Sequence, residues 1–480
     1  MAREGSGKTF DIRYLGSSDS VVGVAWLCCI GLVSFLVVVV LRGDNGHSSG
    51  AALLLAPLPL ILHIFVAGGR RPLGAGYWLI LAFGILNVTV NPILVGLLGA
   101  NLSGLPSEPS TGSLNTVAVL NAVVLCAGLT GYLATPQAPG ERAWDAYSGT
   151  LPIVLCLALG AVGAVLKVSR FGGISAYLAG SFMSGQGAPG SSWVGLASTV
   201  LPPFWVSGCV LLWQKYQERV TGLLRIFLFA IAVAPMLLYS YNRAAFMVPA
   251  ASLVLTSMGS SGRPLRRRGV AMWAGVLSAG AWIWGEWRRV FWATAGGTRS
   301  LEQAGISGDG PTVCDVWQVY TAAQPRAAVT LEIMEGHNGT LWSSILAAVP
   351  RIGEPWRAGS GPVVFNTSLY GSGGAADQIL PTMIEAQATS AWICPIVLFL
   401  LVGALLRRLE PSKKRSLFEN YFRWYVCIWI ASTYVFSVSI LLQIVVFFLW
   451  SFLLVYVLGR SNSITGSTRP GRRRTRAPSH

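Results

Sequence analysis

The residues of this chain best suited to chemistry are arginines. Arg243 stands in Ser240-Tyr241-Asn242-Arg243, a short polar step between apolar runs at about 221–239 and 242–258. Such a turn is too short to carry a guanidinium far into water, and charge beside hydrocarbon is costly enough that it usually faces a cavity. Arg170 follows Lys167 at the end of another apolar run, Arg288 and Arg289 open a long polar stretch, and Arg351 and Arg357 lie within it. Guanidinium forks grip phosphate oxygens two at a time. Several converging on one hollow would make a pyrophosphate site. Arg243 and Arg170 would be its principal groups, with Arg288 or Arg289 assisting and Arg351 reaching in from the polar stretch. The competing reading, above all for Lys167, Arg288 and Arg289, is a stem lying on apolar surface with its charge extended to lipid headgroups.

Proton transfer has two candidates. His337, in Glu335-Gly336-His337-Asn338-Gly339, is the one histidine of the long polar stretch. Its ordinary pKa of about 6.5 suits it to accept a proton from a hydroxyl or to orient one; an ordinary surface imidazole is the alternative. Glu286 and Glu385 stand where the stretch leaves and re-enters apolar sequence. Desolvation could raise either carboxyl into the range of a working base, and pairing with an arginine is the competing reading. His63, alone in an apolar run, reads as a hydrogen-bonded packing residue.

Other chemistries find no footing. Gly5-Ser6-Gly7-Lys8-Thr9 imitates the end of a phosphate-binding loop, but position 2 is Ala2 where the pattern requires glycine. No nucleophile elbow occurs. No Cys, His, Asp or Glu spacing suggests a metal site, so neither metal nor cofactor is expected. Seven of the eight cysteines fall within apolar runs, where they serve as small hydrophobes.

The elements that must position these groups are membrane spans. The chain has 480 residues, 53% hydrophobic and 11% charged, against roughly 25% charged in soluble domains. A net charge of +16 would suit nucleic acid, but the basic residues flank apolar runs, where they set orientation, and no nucleic-acid partner is expected. A crossing takes roughly 20 apolar residues. Runs at 21–41, 51–68, 75–98, 115–134, 151–167, 192–214, 221–239, 242–258, 269–286, 386–406, 424–440 and 443–459 qualify. As a single helix 424–459 would measure about 54 Å, too long for one crossing, so a hairpin with Ser437, Ser439 and Gln443 in its turn is expected. Most of the 35 lysines and arginines then fall on one side with both termini, which predicts cytoplasmic ends.

The expected fold class is an all-α polytopic membrane protein of about 12 transmembrane helices. Residues 1–286 carry spans 1–9, 287–385 form one large extracytoplasmic loop, 386–459 carry spans 10–12, and 460–480 form a basic, disordered tail. The loop has too little apolar sequence for a core of its own. Short helices or re-entrant pieces packed over the membrane are expected, with function on the outer face. A transporter would place charges near the midplane and show matching halves; neither is evident.

Three stretches carry a resemblance. They are Arg170-Phe171-Gly172-Gly173-Ile174-Ser175-Ala176-Tyr177, Ser240-Tyr241-Asn242-Arg243-Ala244-Ala245-Phe246, and His337 through Val349-Pro350-Arg351 to Pro355. With about a dozen spans and one large late loop, the chain resembles the Wzy-type O-antigen polymerases, a group whose architecture the O-antigen ligases share. Where many relatives have an acidic-aromatic-Gly entry to the span after the loop, this chain reads Ile384-Glu385-Ala386-Gln387-Ala388. The resemblance implies a metal-independent glycosyltransferase in a bacterial cytoplasmic (inner) membrane, working on the outer face. Polyprenyl-diphosphate-linked oligosaccharide would be both donor and acceptor, with chain-length regulator and flippase proteins as accessory partners. A ligase and a lipid-linked glycan flippase are the alternatives.

Overall fold

The computed structural model describes residues 50–68, 73–98, 108–136, 149–169, 193–220, 222–239, 243–260, 321, 323–349, 352–370, 380–412 and 415–466. The expected spans 21–41 and 269–286, the first part of the loop and the end of the basic tail lie outside these residues. Among the described residues there is no strand. In order come α1 (Gly50–Leu55), α2 (Leu58–Gly68), α3 (Ala75–Gly84), a π-helical turn (Ile85–Val90), α4 (Asn91–Leu98), α5 (Thr111–Ala134) and α6 (Thr150–Ser169). Then follow α7 (Trp193–Val200), α8 (Pro202–Lys215), α9 (Gly222–Tyr239), α10 (Arg243–Ser260), α11 (Gln324–Met334) and α12 (Thr340–Ala347). The last are α13 (Gly361–Tyr370), α14 (Thr382–Ser390), α15 (Ile393–Arg408), α16 (Leu417–Ala431) and α17 (Val438–Gly466).

Among the described residues, five helical stretches are long and apolar enough to cross a membrane: Gly50–Ala67, Ala75–Gly96, Thr111–Ala134, Thr150–Ser169 and Trp193–Lys215. Apolar side chains such as Ile393, Val397, Leu401 and Leu405 also form an exposed stripe along α15. Such surface suits hydrocarbon rather than water, and together these features mark a membrane protein.

Glycines set the tightest packing. A Cβ on Gly131 of α5 would lie 2.0 Å from the Leu400 carbonyl oxygen of α15, and one on Gly403 2.0 Å from that of Gly128. In a second pair, a Cβ on Gly160 of α6 would lie 2.3 Å from the Trp205 backbone nitrogen of α8, and one on Gly208 2.8 Å from Leu157. Small residues let helices touch backbone to backbone, which drives association where water offers no hydrophobic push. Around the first pair gathers a core with Tyr77, Val117, Leu125 and Phe399; around the second, one with Cys156, Trp213, Tyr425 and Phe448.

Among the described residues, the polar loop shares the core of the spans. Ala327, Ala328 and Met334 of α11, Phe365 of α13 and Met383 and Ile384 of α14 are buried in the first of these clusters. Gln324 Nε2 donates to the Leu114 carbonyl (2.8 Å), and Glu332 accepts from the Ser110 N–H (2.8 Å), so α11 is tied to the start of α5.

Two expectations need correction. The run 386–406 is not one helix: α14 ends at Ser390, and Ala391 turns the chain with a φ of 41°. A non-glycine residue holds that conformation only where its surroundings impose it. The hairpin in 424–459 exists, since Phe418 and Phe422 stack on Phe452 while Tyr425 stacks on Phe448, so α16 and α17 run antiparallel. Its turn, however, lies at 432–437. Ser437 caps α17 by accepting from the Ser439 N–H (3.3 Å), so Ser439 and Gln443 are already helical. α16 starts at Leu417 rather than 424 because Glu419 is paired with both Arg415 and Arg423, which admits charge into its first turns.

The contacts sort the helices by end. Thr382 donates its hydroxyl to the Phe436 carbonyl (2.6 Å), joining the loop to the α16–α17 turn. At the opposite end Gln214 of α8 accepts from the Phe418 N–H (2.9 Å), and Arg225 of α9 donates to Ser257 of α10 (2.9 Å). The end of α9 and the start of α10 therefore point toward the loop. So does the end of α6 at Ser169, because α6 packs antiparallel to α8.

Candidate functional site

Glu385 is the centre of the loop end. It sits in α14, before the spanning helix α15, and is fully buried. Ser344 of α12 donates its hydroxyl to Oε1 (2.5 Å) and accepts from the Gly361 N–H at the start of α13 (2.8 Å). The Val438 N–H, at the start of α17, donates to Oε2 (3.3 Å), and Ser437 adds a side-chain hydrogen bond. One carboxyl thus joins α12, α13, α14 and α17. Two helix N-termini face it, and their exposed N–H groups favour negative charge. Among the described residues no cation is paired with it. Burial pushes its pKa up to about 7, against the opposing pull of Ser344, Ser437 and the Val438 N–H. Such a group holds or releases a proton near neutrality. A Cβ on Gly361 would lie 2.1 Å from Oε1, so the carboxyl is sealed rather than open to a substrate.

His337 occupies a different place. Gly336 and Gly339 both have a φ of 82°, a left-handed conformation that glycine adopts without penalty, and they form the turn that carries the imidazole. The side chain is exposed, and its backbone N–H donates to Met334 (3.1 Å). His337 and Glu385 lie at the same end without a described contact between them. Arg243 is the first residue of α10, so its backbone belongs to that end as well. Arg170, Arg288, Arg289, Arg351 and Glu286 lie outside the described residues. His63 hydrogen-bonds Tyr77 through Nδ1 (2.8 Å), a packing arrangement.

Sequence reasoning passed over several groups here. Asn87, on the π-helical turn, donates to the Tyr434 carbonyl (3.1 Å), and Asn91 donates to Asn87 (3.2 Å) and to the Thr321 carbonyl (3.3 Å). Asn87, Asn121 and Gln324 line a small hollow with Ala52, Leu55 and Pro92. Arg326 of α11 is buried with its guanidinium over the Phe365 ring, 5.9 Å from its centre. The available signal was amides within apolar runs; the serines that hold Glu385 had none.

The other end of α15 holds a second carboxyl. Glu410 accepts from the Tyr132 hydroxyl (2.5 Å), the Gly76 N–H (3.1 Å) and Arg407 Nη1 (3.1 Å). Arg407 also donates to the Tyr132 hydroxyl (2.8 Å) and lies over that ring, 4.9 Å from its centre. Burial raises the carboxyl's pKa despite the arginine and the hydrogen bonds, which pull it down. Among the described residues no His, Cys, Asp and Glu cluster could hold a metal ion. No protein-family model, no curated protein and no solved structure matches this chain.

Proposed function

We propose that this protein is a membrane glycosyltransferase that polymerises polyprenyl-diphosphate-linked oligosaccharide repeat units on the outer face of a bacterial cytoplasmic membrane. In this reading the chain crosses about twelve times with both termini cytoplasmic, and the loop end faces outward. The observation that supports it is that the start of α10 at Arg243, the end of α6, His337 and Glu385 all belong to the end of the bundle where the loop's described helices join the spans' core.

The chemistry follows from charge. As the bond between the anomeric carbon and the diphosphate oxygen breaks, negative charge grows on the leaving group. Arginines fixed beforehand stabilise it, Arg243 and Arg170 first, with Arg288, Arg289 and Arg351 assisting. The acceptor hydroxyl attacks the same carbon and yields its proton to His337, or to Glu385 once α12 and α13 part. Holding donor and acceptor together in a partly dry hollow supplies the rest.

Deleting the gene and analysing lipid-linked glycan tests the reading. Accumulated single repeat units support it; polymer stranded on its carrier identifies a ligase; accumulation on the cytoplasmic leaflet identifies a flippase. Arg243→Ala is expected to abolish polymer at unchanged membrane levels, and surviving long polymer removes Arg243 from the site. His337→Ala is expected to cost roughly 100-fold or more in rate if the imidazole is the base.

A further inference from the structure

We propose that α12, with Val349 at its end and the described turn from Ile352 to Trp356, is an interfacial membrane element, seated in the lipid leaflet on the loop's side with its outward face against phospholipid. It belongs to the polar loop, yet from Asn338 to Gly353 the sequence carries a single charge, Arg351. α12 has two apolar faces. The inner one packs Leu341 against Ala386 and Val438, with Ile345, Cys394, Leu398 and Leu442 around them. The outer one places Trp342, Leu346 and Val349 at helical spacing, and all three are exposed, Trp342 at 61%. Ile352 (71%) and Trp356 extend the patch through the turn beyond. The chain folds back there because Gly353 has no Cβ; one would lie 2.4 Å from the Leu346 carbonyl oxygen.

Depth identifies the occupant. Leu398 is five residues into α15 and Leu442 four into α17, which is about 6–8 Å below the starts of those helices at about 1.5 Å per residue. Interfacial helices sink their apolar face roughly 5–10 Å into the boundary between headgroups and acyl chains. At that depth the exposed apolar side chains of α12 share a level with the start of the exposed stripe of α15 at Ile393 and Val397. Tryptophans are the residues enriched at that boundary. Exposed Arg357 follows Trp356 directly and supplies a cation for lipid phosphate at the end of the patch. The proposal does not depend on the glycosyltransferase reading.

The test uses the full chain in phospholipid nanodiscs, with a benzophenone amino acid placed at position 342, 346 or 352 and irradiated. Phospholipid adducts are expected at the yield seen from position 397 on the α15 stripe, and several-fold above the yield from exposed position 337. Yields no higher than at 337 show a face turned to water, and adducts with a second copy of the chain or another protein show a protein interface; either overturns the proposal. Hydroxyl-radical footprinting of the unsubstituted chain gives a check free of folding effects. Trp342 should escape oxidation in nanodiscs despite its exposed ring, and strong oxidation there refutes the assignment.

Discussion

The two buried carboxyls Glu385 and Glu410 flank α15, a helix about 24 Å long by its rise per residue, and they keep opposite company. Glu410 faces an arginine and a tyrosine hydroxyl that also bond each other. Its neighbourhood is a closed ion cluster that ties α3, α5 and α15 together. Glu385 faces two serines and a backbone N–H, and among the described residues no cation balances it. Structural charge is neutralised where it stands, because an uncompensated buried ion is expensive. A buried carboxyl without a counterion instead takes up a proton, and that makes its state responsive to its surroundings. Among the described residues, pairing of a buried carboxyl with an arginine is found at Glu410.

The largest effect expected from this contrast is at Glu410. Glu410→Gln leaves Arg407, whose side chain is only 17% exposed, without its counterion. Breaking a buried pair from one side costs about 3–5 kcal/mol, visible as a large drop in thermal midpoint in nanodiscs. A change below about 1 kcal/mol, within the range of exposed pairs, makes the cluster a surface pair and removes the contrast.

Next in size is the pH response. Glu385 has its folded pKa raised to about 7, above the ordinary carboxylate value of about 4.3. Between those values the folded chain holds more proton than the unfolded one, so stability falls as pH rises. The contribution is fully present below about pH 4.3 and lost once pH passes through about 7, on the order of 3 kcal/mol in all. Unfolding midpoints measured from pH 4 to 8 should decline through that window. Because burial also raises Glu410, the decline must be assigned by difference, from a Glu385→Gln chain measured alongside.

Much of this frame is legible in the sequence, for a physical reason. A helix in lipid satisfies its own backbone, so an apolar run reports a helix almost directly, as 115–134 does for α5 and 151–167 for α6. The hairpin of α16 and α17 follows from length alone. Position of the turn does not, because α17 starts at a Ser437 cap and α16 starts early, at Leu417, where its charges are neutralised by one another. The break at Ala391 has no local signal at all, since alanine is the last residue to advertise a positive φ. Glu385 could be singled out by its place at a span entrance. Its partners could not: Ser344 lies 41 residues away and Val438 53 residues away, and no periodicity links them.

A smaller effect is expected from Ser344→Ala. It removes the donor to Glu385 and the acceptor of the Gly361 N–H together, leaving two buried polar groups short of a partner. Such losses cost about 1–3 kcal/mol. Because the hydroxyl holds the carboxyl's pKa down, its removal should also move the pH-dependent decline upward. A shift downward would mean that Ser344 chiefly stabilises the protonated form.

In acid the smallest effect on stability is expected from Glu385→Gln, and its sign should change with pH. In acid the native carboxyl is already neutral, and glutamine turns an N–H₂ toward the Val438 N–H or gives up the Ser344 bond, a loss of about 1 kcal/mol. Above pH 7 the native carboxylate bears its burial cost while glutamine does not, so the variant becomes the more stable chain. Two thermal unfolding curves crossing between pH 4 and 8 are the expected result; parallel curves would place the ionisable group elsewhere. Activity separates the remaining readings. If Glu385 accepts the acceptor's proton, the glutamine chain makes no polymer at a pH where it is at least as stable as the parent. If it only ties α12, α13, α14 and α17, polymer persists and its pH dependence flattens.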